Sequence, residues 1–128
     1  MTTASLLSLK PEETTFAPIE TWENKNSDRD YTITIHVPEY TAVCPKTGLP
    51  DYGSISIEYQ PDELVIELKA FKYYMLSYRN VGIFYENAVN KVRDDIIAAI
   101  NPKYLKVTGT FTPRGGISTD VVVEYNKK

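Results

Sequence analysis

Polar and apolar residues alternate strictly from Tyr31 to Val37: Tyr31, Ile33, Ile35 and Val37 are separated by Thr32, Thr34 and His36. That period of two predicts a strand with one buried face. Pro38 is expected to end it, and the stretch from Glu39 to Asp51, with Pro45, Gly48 and Pro50, reads as a loop. The alternation resumes with Gly53, Ile55, Ile57 and Tyr59 between Ser54, Ser56 and Glu58, which predicts a second strand antiparallel to the first. A loop longer than such a hairpin needs is often functional. Leu64 to Ile66 is a brief apolar extended run. The spacing then becomes helical. Leu68, Phe71 and Met75 are expected to share a buried side of a helix from about Leu68 to Tyr78, broken at Arg79-Asn80-Val81-Gly82. Tyr85, Ala88, Val89, Val92, Ile96, Ala99 and Ile100 trace a second amphipathic stripe, stopped by Asn101-Pro102. Period two returns with Leu105, Val107, Gly109 and Phe111, and after a turn at Thr112 to Gly116 with Ile117, Thr119, Val121, Val123 and Tyr125.

Two strands, two helices and two strands imply an α+β fold with the helices packed on one face of an antiparallel sheet. Four long strands leave two edges to be paired or covered, so self-association is expected. Residues 1 to 29 carry Pro11 and Pro18 and no sustained period. They read as an extended arm, pinned where Phe16, Ile19 and Trp22 meet apolar surface, ahead of a single domain over residues 30 to 128.

Composition narrows the function. A chain of 128 residues, 42% hydrophobic and 24% charged, forms one ordinary globular domain. A net charge of −3 argues against binding driven by nucleic-acid phosphates. One cysteine excludes an intramolecular disulfide and suits a reducing compartment, and with one histidine it makes a Cys/His zinc site implausible, so no metal is expected. Near the N-terminus the longest apolar run is Leu6-Leu7, neither a signal peptide nor a membrane span, and the cytoplasm is the expected location.

Few residues offer chemistry. Cys44 lies in a proline-bounded loop, two residues from Lys46 and seven from Asp51. It reads either as a small buried hydrophobe or as a nucleophile whose thiol the Lys46 charge activates, with Asp51 as proton donor. Lys69 and Lys72 open the first helix against its macrodipole, which suits either a solvated face or a bound anion. Glu86 opens the second helix, where the dipole favours an acid, and a carboxylate there also suits the donor edge of a heterocycle. Arg114, beside Gly115-Gly116, reads equally as a solvent-exposed turn residue and as a phosphate contact. His36, alternating with threonines, reads as a structural, hydrogen-bonded residue.

Four ordered motifs together resemble the 7-cyano-7-deazaguanine reductase family, the QueF nitrile reductases. They are Cys44-Pro45-Lys46-Thr47-Gly48-Leu49-Pro50-Asp51; Glu67-Leu68-Lys69-Ala70-Phe71-Lys72-Tyr73-Tyr74; Ser77-Tyr78-Arg79-Asn80; and Phe111-Thr112-Pro113-Arg114-Gly115-Gly116-Ile117-Ser118. The resemblance implies the tunnelling fold (T-fold), in ββααββ order, whose subunits join into a barrel, often as two stacked rings with sites at their interfaces. It implies reduction of the nitrile of 7-cyano-7-deazaguanine to an aminomethyl group by NADPH, a step towards queuosine in tRNA. On this resemblance Cys44 forms a covalent thioimide and Asp51 shuttles protons. Ile66, Glu67 and Leu68 hold the deazapurine, Glu86 binds its guanine-like edge with Tyr85 beside it, and Lys69, Lys72 and Arg114 meet NADPH phosphates. Many members carry histidine where this chain has Tyr85, and a phenol cannot serve as an imidazole acid near neutral pH. Two other readings compete. One is a related amidine-forming enzyme acting on deazaguanine in tRNA, against which the lysine-bearing motif argues. The other is a non-catalytic purine-binding module.

Overall fold

A computed structural model describes residues 8–128, so Leu6 and Leu7 lie outside the described residues. The main sheet is antiparallel with strand order β2-β3-β5-β6, formed by β2 (Ile33–Val43), β3 (Pro50–Gln60), β5 (Tyr104–Arg114) and β6 (Ile117–Asn126). Helices α1 (Leu68–Leu76) and α2 (Tyr85–Ile100) follow β3 in the chain. A short strand β1 (Thr21–Glu23) pairs with β4 (Leu64–Ile66) in a separate two-stranded ladder. The ββααββ order expected from periodicity is therefore present, with one small ladder added.

The core lies between the helices and one face of the sheet. Ile55, Ile57 and Tyr59 of β3 and Leu105, Val107 and Phe111 of β5 face Val89, Val92, Ile96 and Ile100 of α2, all essentially buried. The α2 stripe is continuous because its apolar residues recur at helical spacing. The helix ends where Asn101 takes the left-handed conformation at φ 39°, and its backbone N–H returns to the Ile97 carbonyl. Tyr74 and Tyr78 are satisfied inside the core: their hydroxyls lie 2.7 Å apart, and that of Tyr74 donates to Asp95 at 2.5 Å.

The largest departure from the periodicity concerns Pro38, which does not end its strand. β2 runs through it to Val43, with a register shift between Val37 and Tyr40. Proline is tolerated on an edge strand, where its missing N–H breaks no ladder hydrogen bond, and a bulge accommodates it. The shift also changes the parity of the strand. Before it the inward residues are Ile33, Ile35 and Val37; beyond it they are Tyr40 and Ala42. The expected loop shrinks accordingly, since Val43 already pairs with Pro50 and only Cys44 to Leu49 connect the strands.

Other corrections are smaller. Leu68 is 61% exposed, because as the first residue of α1 it stands at the mouth of a cleft beside β2 while Phe71 and Met75 fill its floor. α1 ends at Leu76, two residues before the expected limit, as Ser77 turns back by hydrogen-bonding the Tyr73 carbonyl. In the N-terminal segment Phe16 and Ile19 pack against the core as expected, but Trp22 is 64% exposed on β1. His36 is exposed on the sheet and has no side-chain hydrogen bond among the described residues, so the expected bonded role is not found. No helix among the described residues is long and apolar enough to cross a membrane.

Two glycines make room at one end of the sheet. A Cβ on Gly109 would lie 2.7 Å from the Val89 Cγ2 and 2.8 Å from the Phe111 ring, and one on Gly53 would lie 2.6 Å from the Thr110 carbonyl oxygen. The Phe111 ring therefore occupies space that only glycine neighbours leave free. Gly109→Ala is expected to lower stability by about 1–3 kcal/mol through overpacking, read as a lower midpoint in thermal unfolding.

Candidate active site

The hairpin register places Cys44 and Asp51 together. Ala42 pairs with Asp51, so beyond the bulge Tyr40 and Ala42 share a face with the Asp51 and Gly53 side of β3, and Cys44 opens the connection directly after β2 ends at Val43. The connection is held by Cys44 N–H to the Leu49 carbonyl at 2.9 Å and Gly48 N–H to the Cys44 carbonyl at 2.8 Å, with Gly48 at φ 71°. The start of α2 is brought to the same place by backbone pairing. Val43 N–H donates to the Val81 carbonyl at 2.9 Å, and Ile83 N–H returns to the Val43 carbonyl at 3.1 Å. Tyr85 and Glu86, two and three residues beyond Ile83, thus begin their helix beside the end of β2.

Asp51 is 5% exposed and is gripped from two distant parts of the chain. The Tyr85 hydroxyl donates to its Oδ1 at 3.2 Å, and the Arg114 guanidinium stands 3.0 Å from the same oxygen. Arg114 also donates to the Pro50 carbonyl, so it ties the end of β5 to the start of β3. The Tyr85 ring lies flat on Phe111, with centroids 3.9 Å apart and planes at 9°. Phe111 in turn rests in the space left by Gly53 and Gly109. The glycines thus fix the height at which the Tyr85 hydroxyl meets Asp51. Burial first, and then the Asp51 charge and hydrogen bond, raise the Tyr85 phenol above its ordinary value, partly opposed by Arg114.

Cys44 is half-buried, and its thiol sits below the ordinary range. Partial burial is the largest influence and pushes it up, as does the nearby Asp51 charge. Hydrogen bonds from the Thr47 hydroxyl and from the Thr47 and Lys46 backbones together outweigh both. The activating influence is therefore the loop's hydrogen bonds and not the Lys46 ammonium, which is the charge the spacing suggested. Removing the Thr47 hydroxyl should raise the thiol and leave less thiolate at neutral pH. Thr47→Ala is accordingly expected to alkylate more slowly at pH 7 than the unaltered chain, with the pH profile of alkylation displaced upwards.

The remaining candidates form a second group. Glu67 caps α1 by accepting from the Lys69 N–H, and its own N–H donates to the Glu20 carbonyl at 2.9 Å, so the β1–β4 ladder fixes where α1 starts. Ile66 is buried there beneath the Tyr59 hydroxyl, which accepts from its N–H at 3.1 Å. Lys69 and Lys72 are exposed, and neither takes part in an ion pair among the described residues. Lys72 lines a cleft of about 640 Å³ between α1 and the edge of β2, with Phe71 and Met75 as floor and Arg79 at one end. Two unpaired cations on the first turn of a helix beside an open cleft fit the phosphates of a dinucleotide. Within one chain Arg114 stands with Asp51 and not with these lysines, and Glu86 is exposed at the start of α2. Thr47 and Phe111 stand inside two of the motifs without a role that spacing assigns them, whereas Tyr40 depends on a bulge that periodicity does not reveal. Among the described residues no three His, Cys, Asp or Glu side chains come together as metal ligands would.

A family model for QueF-like proteins matches residues 50–128. A protein from Elusimicrobium minutum called NADPH-dependent 7-cyano-7-deazaguanine reductase is 56% identical over 110 residues, covering 86% of this chain and 83% of that protein. One of the same name from Chloroherpeton thalassium is 53% identical over 107 residues, covering 84% and 92%. The crystal structure of the archaeosine synthase QueF-Like in its apo form superposes with a TM-score of 0.70 at 29% identity, over 76% of this chain and 95% of that one. The α+β, ββααββ architecture described above is thus the tunnelling fold. With a family model spanning both central strands and both helices, and half or more of the residues shared with these reductases, the chain belongs to the QueF family of NADPH-dependent 7-cyano-7-deazaguanine reductases.

Proposed function

We propose that this chain reduces the nitrile of 7-cyano-7-deazaguanine to an aminomethyl group with NADPH, in the route to queuosine in tRNA. The observation that carries the reading is one half-buried thiol in the β2–β3 connection, near enough to the buried Asp51 to feel its charge. Cys44 adds through Sγ to the nitrile carbon, and the nitrogen takes up a proton, giving a covalent thioimide. This step converts a poor hydride acceptor into a better one. NADPH bound there would supply hydride: after the first transfer the carbon–sulfur bond breaks, returning the Cys44 thiol and leaving an imine, and the second transfer completes the amine, two hydrides and two protons in all. Asp51 passes protons to the nitrogen, while Arg114 and Tyr85 hold its carboxylate in place. Tyr85 serves here as a hydrogen-bond donor to Asp51 and a stacking platform, which requires no imidazole.

Ile66, Glu67 and Leu68 hold the deazapurine, and Glu86 takes its guanine-like edge. Lys69 and Lys72 receive cofactor phosphates. Arg114, partly exposed and with N–H donors to spare, also reaches a cofactor phosphate while it holds Asp51. The cleft lined by Leu68 and Lys72 includes neither Cys44 nor Asp51, which supports a complete site built between subunits of a ring or double ring joined at the open edges of β2 and β6. Residues 30–128 act as the reductase domain and residues 1–29 as its arm. A single reduced cysteine suits the cytoplasm. No direct contact with nucleic acid is needed.

The amidine-forming alternative draws on the likeness to the archaeosine synthase, but that likeness is 29% identical against 56% and 53% for the two reductases. The test is absorbance of NADPH with 7-cyano-7-deazaguanine, with the product identified by mass. Two NADPH consumed for each aminomethyl product support the reading. Folded protein that forms a Cys44 adduct but consumes no NADPH would instead favour the amidine-forming enzyme.

A further inference from the structure

Every other fully buried tyrosine in the core has its hydroxyl satisfied: Tyr59 accepts from Ile66 N–H, and Tyr74 and Tyr78 bond each other. Tyr40 is the exception. It is 3% exposed, and its hydroxyl has no hydrogen-bond partner among the described residues. A buried hydroxyl left unmatched costs about 1–3 kcal/mol. The ring alone explains the packing, because its contacts are with the rings of Tyr78 and Phe111, each 5.9 Å away between centroids. Phenylalanine would make both contacts. The oxygen is therefore surplus to the fold.

Its surroundings identify what it serves. The bulge at Pro38 and Glu39 turns Tyr40 inward, and bulges commonly re-aim a side chain beside a functional site. Tyr40 pairs with Gly53, and only the Thr41–Tyr52 pair separates that pair from Ala42 and Asp51, so Tyr40 and Asp51 lie towards the same end of the hairpin. The charges acting on its phenol are those of Asp51 and Tyr85, which together with burial hold it well above its ordinary value. It therefore stays protonated and acts as a donor.

We propose that Tyr40 is a positioning residue for Asp51, its hydroxyl held in reserve as a third donor to the carboxylate. The assignment rests on Asp51 being the proton donor of the proposed reaction. Asp51, ion-paired with Arg114 at rest, takes up the proton that the Cys44 thiol gives up and passes it to the substrate nitrogen: an S–H bond breaks, an N–H bond forms, and the carboxylate is restored in a buried site. Arg114 and Tyr85 already reach one of its oxygens, and a carboxylate has room for about four donors. Tyr40 fills a further place when a small shift of the Asp51 carboxylate or the Tyr40 ring brings the two together, and the phenol does not give up its proton. The carboxylate restored in this way thereby meets a donor that the resting protein does not use.

The test is Tyr40→Phe, which removes the oxygen and keeps the ring. Expected is a fall in kcat of about 10- to 100-fold, the worth of one hydrogen bond to a charged group. KM for the nitrile should be little changed, and Cys44 adduct formation without NADPH, read by intact mass, should slow in parallel. The thermal midpoint should stay level or rise, because an unmatched hydroxyl has gone. Unchanged kcat would overturn the assignment. So would a fall of several degrees in the midpoint, which would make Tyr40 a structural residue. If the unaltered enzyme itself gives neither product nor adduct, the reductase reading fails and this assignment fails with it, an outcome distinct from a change confined to the variant.

Discussion

Replacing Cys44 by alanine is expected to abolish NADPH oxidation driven by 7-cyano-7-deazaguanine, with a loss beyond about 10³-fold, as for other nucleophiles that carry a covalent intermediate. The change deletes one sulfur from a half-buried loop position and touches neither the backbone bonds of the Cys44–Leu49 connection nor the core. Stability should move by less than about 1 kcal/mol, the usual range away from packed or paired features. Activity and folding therefore separate cleanly. Alanine leaves Asp51, Arg114 and Tyr85 in place, so residual turnover would come from orientation and proton delivery alone. The same preparation should take no covalent adduct from the nitrile. Turnover within a few-fold of the unaltered enzyme would remove Cys44 from the mechanism.

The second large effect is expected at Asp51. Asparagine has nearly the same shape, and its carbonyl oxygen can still accept from Tyr85 and Arg114, so the side chain should stay where it is. What it loses is the transferable proton, worth about 10²–10⁴-fold for a positioned acid. Arg114, 44% exposed at its side chain, remains partly solvated when its ionic partner is neutralised, which limits the stability cost. The prediction for Asp51→Asn is thus a folded protein with near-normal KM, low kcat and slow thioimide formation. Equal losses in kcat and in thermal stability would mean that the Arg114–Asp51 pair serves the fold and that the proton comes from elsewhere.

The alternating residues of β3 and β5 and the stripe of α2 were legible because each buries a single face, so local spacing reports the global environment. Cys44 and Asp51 were legible as a pair for a similar reason: they are seven residues apart on one hairpin. Pro38 was not. Its effect depends on whether the strand is at an edge, and that is a property of the sheet and not of the dipeptide. Missing the bulge hid the face on which Tyr40 lies. Arg114 and Tyr85 show another limit. Each was noticed for its own local setting, but their meeting on one Asp51 oxygen is set by β3–β5 pairing and by Val81–Ile83 lying against Val43. Leu68 and Trp22 were misjudged because hydrophobicity ranks a residue's preference without saying whether anything in the same chain covers it.

The β3–β5 pairing also orders events in time. The β2 and β3 hairpin closes over six residues, from Cys44 to Leu49, whereas β3 meets β5 only across both helices, pairing Gln60 with Tyr104 and Gly53 with Phe111. Long-range closure is slow relative to local closure. During synthesis the hairpin can form before residues 104–126 have left the ribosome, so the thiol and its loop hydrogen bonds come first. Arg114 and Phe111 arrive last, and with them the clamp on Asp51. A newly made chain would thus carry a primed thiolate before the acid beside it is secured. In that interval Cys44 is most open to oxidation, and a shortage of reductant would harm the nascent enzyme more than the finished one.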